Sequence, residues 1–431
     1  MTADLRPYPA MKDSGVPWLG EVPEHWEVRR LRNAAEMRVS NVDKHTKEDE
    51  QPVRLCNYVD VYKNDRIRAS MVFMQATATR DEIARFRLEA GDVLITKDSE
   101  AWNDIGVPAL VEDSAADVIC GYHLALLRPF PQVVLASYLF RTLQSVPTAY
   151  QFHVEANGVT RYGLSHSAIK SIWIPLPSLP EQAAIVRFLD HVERRIRRYI
   201  RAKQKLIKLL EEEKQAIIHR AVTRGLDPSV RLKPSGVEWL GDVPEHWEVV
   251  PNRALLRLEK RLVGGAWREY PLLSLTKRGV ILRDMENPEG KFPTSFEIYQ
   301  EVRPGDLIFC LFDIDETPRA VGLSQLPGMI TGAYTRFSCD SEAVDWVHLF
   351  YVAMDNGKRL KPLYMGLRKV ITKSAFLSAK MPLPPTGERA EVVKHVQESL
   401  RTADEAAALS ANVRETARSP KFSVEGRLRI V

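Results

Sequence analysis

The sequence predicts an α+β protein: two tandem, pseudo-repeated α/β domains separated by two long antiparallel coiled-coil helices. The prediction rests on a segment that occurs twice, on landmarks that recur in the same order behind each copy, and on an apolar seam of helical period that closes each half. The expected boundaries are 1–179 for the first domain and 180–220 for the first long helix. The second domain is expected at 221–384, the second helix at 385–417 and a C-terminal tail at 418–431.

The repeat is SGVPWLGEVPEHWEV from Ser14 to Val28 and SGVEWLGDVPEHWEV from Ser235 to Val249, with 13 of 15 positions identical. A period of 221 residues is far beyond a solenoid unit of roughly 20–50 residues and marks a duplicated domain. Behind each copy, Gly91-Asp92-Val93-Leu94-Ile95 matches Gly305-Asp306-Leu307-Ile308-Phe309, Gly121-Tyr122 matches Gly332-Ala333-Tyr334, and Ile174-Pro175-Leu176-Pro177 matches Met381-Pro382-Leu383-Pro384. The offset falls from 221 to 207, so the first copy has the longer loops. Between landmarks the halves share almost nothing.

Within each half, short apolar runs read as strands and longer periodic ones as helices. Asp92 to Thr96, Leu124 to Leu127 and Asp306 to Phe312 are strand candidates; Leu135 to Val146, with Phe140 and Leu143 on one face, and Val344 to Met354 are helix candidates. Gly264-Gly265 and Asn287-Pro288-Glu289-Gly290 signal turns, and Arg224 to Pro234 reads as a linker.

A proline-punctuated stretch, IPLPSLPEQ or MPLPPTGER, leads into each long helix. Ile185, Leu189, Val192, Ile196, Tyr199, Lys203, Leu206, Leu210, Glu213 and Ile217 step by four and three, the period of a coiled-coil seam. Pro180 suits the helix start and Gly225 lies beyond its end. Val393, Val396, Leu400, Ala403 and Ala407 form the second seam. The two helices would most simply pack against each other. Arg194, Arg195, Arg197, Arg198, Arg201, Lys203, Lys205 and Lys208 make the first helix basic. The simpler reading is a solvated face, partly paired with Glu211 to Glu213 or with a partner's acids; the alternative is a surface facing phosphates.

A net charge of +5 mildly favours a polyanionic partner. Cys56, Cys120, Cys310 and Cys339 contain no CxxC, which argues against zinc and fits free thiols in a reducing cytoplasm. No stretch approaches the roughly 20 apolar residues of a membrane span and no signal-peptide pattern opens the chain; a soluble cytoplasmic protein is expected. The sequence has no GxxxxGK[ST], no GxGxxG after a strand, no HExxH and no GxSxG. No Asn/Asp-Pro-Pro-aromatic box of an amino-methyltransferase occurs either. Asp92 to Lys97, followed by Asp98 and Glu100, places acids near a lysine, but the order is wrong for a metal-dependent nuclease and the matching DLIFCLFD lacks a lysine. His25 and His246, between Glu and Trp in both repeats, read as packing or capping residues, and Trp18, Trp26, Trp239 and Trp247 as anchors.

Two divergent halves, each followed by a long helix, resemble the specificity subunit of type I restriction–modification systems. The duplicated GVxWLGxVPEHWEV, LPSLPEQAAIVRFLD, LITKDSEAWNDIGVPALV (Leu94 to Val111) and GVTRYGLS (Gly158 to Ser165) carry the likeness, which covers nearly the whole chain. The second helix start, PPTGERAEVV, departs from it by lacking the pair Glu181-Gln182. The resemblance implies a non-catalytic subunit whose two target-recognition domains each read one half of a split, asymmetric site in double-stranded DNA, with the helices setting the gap. It implies two methyltransferase subunits and restriction/translocase subunits as partners. It also implies no cofactor on this chain, S-adenosylmethionine, ATP and Mg belonging to the partners. A duplicated coiled-coil adaptor that binds no DNA and a single-chain restriction or modification enzyme are the alternatives.

On that reading, DNA contacts in the first half are expected from Lys97, Asn103, Arg161 and Tyr162, in loops flanking apolar runs, with Lys63 and Arg66 as further candidates. In the second half they are expected from Lys277, Arg278, Arg283, Arg319 and Lys373. Thr160-Arg161 and Thr372-Lys373 occupy similar places and suggest a shared phosphate clamp. For each residue the plain alternative is a surface charge.

Overall fold

A computed structural model describes residues 7–283, 295–314, 316–317, 319–364 and 369–418, with side chains as far as Thr402. Residues up to Arg201 form one compact unit and Ala202–Val413 a second. The turn expected at Asn287 to Gly290 and the tail beyond Arg418 lie outside the described residues, as do the side chains of Ala403 and Ala407.

The helices are α1 (Tyr58–Lys63), α2 (Arg80–Phe86), α3 (Ala136–Gln144), α4 (Val146–Glu155), α5 (His166–Ser171), α6 (Leu179–Arg224), α7 (Val344–Asn356), α8 (Lys373–Ser378) and α9 (Thr386–Arg418). Local chemistry starts several of them. Asn57 with Asp60 and Thr79 with Glu82 form reciprocal capping boxes on α1 and α2. Ser165 and Thr372 accept a backbone N–H at the starts of α5 and α8.

The first unit is built on a five-stranded sheet in the order Ala35–Val39, Leu124–Pro129, Val93–Thr96, Pro108–Val111, Arg66–Ile67. Both faces are covered: Val93, Ile95, Ala125 and Leu127 pack with α3 to α5, while Leu94, Leu124 and Leu126 face a core shared with the sheet Val118–Cys120, Gln51–Cys56, Met74–Ala78. The alternation follows from the two-residue period of a strand. The second unit repeats the first four positions of that sheet, in the same order, as Leu256–Leu258, Thr335–Cys339, Leu307–Phe309 and Val321–Leu323. Asp92 and Asp306 explain the recurring Gly-Asp landmark. Each is buried and pairs with an arginine of the neighbouring strand, Arg128 at 2.8 Å and Arg336 at 2.9 Å, as a buried carboxylate requires. What is added to the framework differs: the second unit carries a hairpin (Leu273–Thr276 with Gly279–Leu282) and a separate two-stranded antiparallel sheet (Gln300–Val302 with Gly328–Ile330) in place of the three-stranded sheet.

Four expectations are revised. The helix expected over Leu135 to Val146 is two, because Pro147 at the start of α4 cannot donate an N–H and Ser145 is extended, its hydroxyl closing on Thr142 O at 2.7 Å. The helix expected over 180–220 continues to Arg224. Gly264-Gly265 opens a short 3-10 helix, Gly264–Glu269, rather than a turn. On α6, the buried residues are Gln182, Val186, Ile207, Lys214, Ile218, Ala221, Val222 and Thr223. The seam is therefore displaced by one residue over the second half of the helix. Ile196 and Leu206, assigned to it, are 40% and 41% exposed.

Each repeat grips the first turns of a long helix. In the first unit Trp26 Nε1 donates to Glu181 Oε1 at 2.9 Å, Tyr8 Oη donates to the same oxygen at 2.7 Å, and His25 Nε2 lies 3.1 Å from Oε2. In the second, Trp247 Nε1 donates to Glu388 Oε1 at 3.0 Å and His246 Nε2 lies 2.7 Å from Oε2. Trp247 is fully buried, edge-on to Trp346 at 5.4 Å, in a core that joins Ile218 and Val222 of α6 to Val392 and Val396 of α9. The glutamate is thus kept at both helix starts. Only Gln182, whose side chain bonds Leu135 N, Val133 O and Pro177 O, is replaced, by Arg389.

Burial opposes the Glu181 charge, yet hydrogen bonds from Tyr8, Trp26 and His25 outweigh it and hold the carboxyl below its ordinary value of 4.5. A carboxyl lowered on folding stabilises the folded state above its unfolded pKa and loses that contribution as pH falls through the folded one. Glu181→Gln is therefore expected to destabilise the first unit near neutrality, with the gap to the unsubstituted protein closing below about pH 4. Urea unfolding across that range checks it; a gap independent of pH removes the carboxylate from this role.

Candidate nucleic-acid interface

In the first unit the loops beside the main sheet converge on Asp98. Asp98–Ser99 pairs with Tyr162–Gly163, which pairs with Asn157–Gly158, so the expected residues Lys97, Arg161 and Tyr162 meet on one small sheet. The hairpin 158–161 closes tightly: a Cβ on Gly158, at φ +155°, would lie 2.0 Å from Arg161 O. Its tip is open to solvent, Val159 and Arg161 being exposed. Lys97 Nζ lies 3.4 Å from Asp98, and its backbone ties two neighbours, accepting from Leu164 N and donating to His123 O. His123 Nδ1 bonds Asp98 Oδ2, and Arg161 Nη2 lies 3.5 Å from His123 Nε2.

Aromatic rings border this surface. Tyr58 and Tyr62 of α1 stack at 5.4 Å, and Tyr62 donates to Asp104 at 2.6 Å. Tyr62 is pushed up to about 12 by that bond, with burial adding to it. Burial raises Tyr58, the nearby Arg161 charge acting in the opposite sense. Asn103 is exposed between Trp102 and Asp104, and Lys63 is exposed at the end of α1. Arg66 is engaged within the unit: its guanidinium lies 4.7 Å from the Phe140 ring and 3.6 Å from Glu112. Positive charge interleaved with aromatic rings and hydrogen-bonding side chains suits phosphates and base edges.

The second unit distributes its candidates over separate places. Lys277 and Arg278 are exposed at the tip of the hairpin joining Leu273–Thr276 to Gly279–Leu282, where Thr276 Oγ1 accepts from Arg278 N at 3.1 Å and Gly279 takes φ +99°. Arg283 follows that hairpin and its charge reaches Tyr334. Arg319 is held by Asn356 at 2.7 Å and Asp355 at 3.5 Å, at the end of α7. Lys373 is exposed in the first turn of α8. The equivalence of Arg161 and Lys373 does not hold. Thr372 caps a helix as Ser165 does, whereas Thr160-Arg161 belongs to a hairpin, so the two cations stand on different elements.

Sequence reasoning missed His123, Tyr58 and Tyr62. Tyr58 and Tyr62 stand four apart, the spacing that stacks side chains on a helix, while His123 follows the recurring Gly-Tyr and takes a left-handed φ of 67° that nothing in the sequence marks. Among the described residues no group of three His, Cys, Asp or Glu is placed to hold a metal ion, and no helix is long and apolar enough to cross a membrane.

Residues 23–209 match the family model of the type I restriction modification DNA specificity domain. A type I restriction enzyme specificity subunit of Methanocaldococcus jannaschii, MjaX, is 24% identical over 385 residues, 88% of each chain. The MjaVIII specificity subunit of the same organism is 25% identical over 317 residues, covering 67% of this chain and 66% of the relative. Among solved structures, the HsdS subunit from Thermoanaerobacter tengcongensis aligns over 92% of this chain and 97% of its own with a TM-score of 0.52 at 16% identity. A chain from a structure addressing complex assembly and conformational transition of a type I restriction–modification system aligns over 93% and 96% with a TM-score of 0.64 at 15% identity.

Proposed function

We propose that the chain is a specificity subunit of a type I restriction–modification system and that its two units read the two different halves of a split, asymmetric DNA site. One observation carries this: the same four-stranded framework occurs twice in the same order and bears unlike loops. Shared frameworks supply equivalent docking surfaces to identical partners, while unlike loops meet unlike base sequences. The family is non-catalytic. In our reading the chain binds no cofactor, S-adenosylmethionine being held by the methyltransferase subunits and ATP with Mg by the restriction subunits. It works in the cytoplasm.

Contacts divide by chemistry. Lys97, Asn103, Arg161 and Tyr162 with Lys63 form the first unit's DNA surface; Lys277, Arg278, Arg283 and Lys373 serve in the second. Arg66 and Arg319 are occupied inside their units and act through the loops they brace. Two methyltransferase subunits bind, and for one of them the second unit's part of α6 offers exposed Leu206 and Leu209 among basic residues.

Three outcomes are expected. Deleting the gene in its host, with the methyltransferase intact, removes N6-methyladenine from a two-part motif in long-read methylation-sensitive sequencing; an unchanged methylome contradicts the function. Lys277→Ala and Arg278→Ala each lower the slope of log affinity against log salt by about 1 if each meets a phosphate, and an unchanged slope removes that residue from the phosphate contacts. Leu206→Glu with Leu209→Glu abolishes co-purification of methyltransferase while far-UV circular dichroism is unchanged; retained co-purification moves the docking surface elsewhere.

A further inference from the structure

Arg161 is not an isolated surface charge. It ends a chain of side chains drawn from three separate loops: Asp98 from the segment after Val93–Thr96, His123 from the turn before Leu124–Pro129, and Arg161 from the hairpin of Asn157–Gly158 with Tyr162–Gly163. Asp98 is only 16% exposed and its backbone faces Gly163 across the strand pair. A Cβ on Gly163 would come within 3.2 Å of the Asp98 carboxylate. His123 is fixed independently by its left-handed backbone, by Lys97 N donating to its carbonyl at 2.8 Å and by the Tyr122 ring at 3.9 Å.

The hydrogen-bond polarity runs one way. Asp98 as a carboxylate accepts from His123 Nδ1–H, which leaves Nε2 as the acceptor in the neutral ring. Arg161 Nη2 lies 3.5 Å from that nitrogen and has a proton to donate to it. The guanidinium plane is thereby oriented, and Nη1 with the second Nη2 proton remains as a donor pair. A phosphate contact supplies position and no sequence information, and a lysine can make it as a point charge. A guanine edge, with acceptors N7 and O6 side by side, needs a donor pair held in one plane.

We propose that Arg161, buttressed by His123 and Asp98, reads a guanine in the half-site bound by the first unit, with His123 and Asp98 as positioning residues. This rests on the DNA-reading function above and goes beyond it by naming the residue, its supports and the base. It also replaces the phosphate-clamp role suggested by the likeness of Thr160-Arg161 to Thr372-Lys373.

The test selects binders from a randomised duplex library with the full chain in its methyltransferase complex, comparing wild type, Arg161→Lys, His123→Asn and Asp98→Asn. Lysine keeps the charge but loses the fork, and asparagine tolerates the left-handed backbone at position 123. The expected result for Arg161→Lys is loss of preference at one guanine of one half-site by about 5- to 150-fold. Its salt slope stays unchanged and the other half-site motif is intact, which shows that the complex is assembled. His123→Asn and Asp98→Asn relax the same position to a smaller degree. A purely structural role for the pair instead weakens binding to every sequence alike. The proposal is overturned if Arg161→Lys keeps the wild-type motif, if the relaxed position is not guanine, or if the two supporting variants leave that position unchanged. A wild-type selection that yields no motif overturns the DNA-reading function itself, and this inference with it.

Discussion

The grip of tryptophan and histidine on a glutamate in the first turn of each long helix is the contact on which the layout depends. A carboxylate near a helix N-terminus is favoured by the unpaired N–H groups there, and a buried indole needs an acceptor for its own N–H. Glu181 and Glu388 satisfy both needs at once. The repeat is consequently an attachment device that ties the edge of each unit to the helix that follows it. This accounts for a duplication so nearly identical in a chain whose halves otherwise diverge.

From that attachment inwards, the framework is fixed by burial. The strand order recurs because Asp92 with Arg128 and Asp306 with Arg336 hold the same neighbouring strands together, and because apolar residues cover the sheet. Outwards, the constraint relaxes. The segments leaving the sheet carry the candidate aromatic and basic residues, and where the units differ each builds its own added core, around Leu55 and Ile119 in the first and around Val263 and Met329 in the second.

The duplicated domains, the strands over Asp92 to Thr96 and Leu124 to Leu127, and both long helices could be read from pattern. Finer points could not. The stripe on α6 was displaced by one residue because Lys214, which reads as polar, is buried while Leu206 and Ile196 are not. Arg66 and Arg319 look in sequence like any loop arginine. Phe140 lies 74 residues from Arg66 and Asn356 lies 37 from Arg319, so their engagement inside the units leaves no local trace. Arg161 and Lys373 each follow a threonine, yet one closes a hairpin and the other opens a helix. Of the candidate interface, the first unit's Lys97, Asn103, Arg161 and Tyr162 were named as candidates from their place in loops beside apolar runs. The His123 buttress was not.

The amino-acid sequence alone determined the architecture of two like domains with unlike contents, because hydrophobic period and a long shared segment are local signals that survive without coordinates. Only the tertiary structure decided which charges are spent inside the fold and which remain exposed. It alone placed Asp98, His123 and Arg161 in one line, and it alone revealed that Glu388 repeats the work of Glu181. The physical reason is common to all three: a hydrogen bond or ion pair depends on distance in space, and residues 25, 38 or 141 positions apart carry no mark of it along the chain.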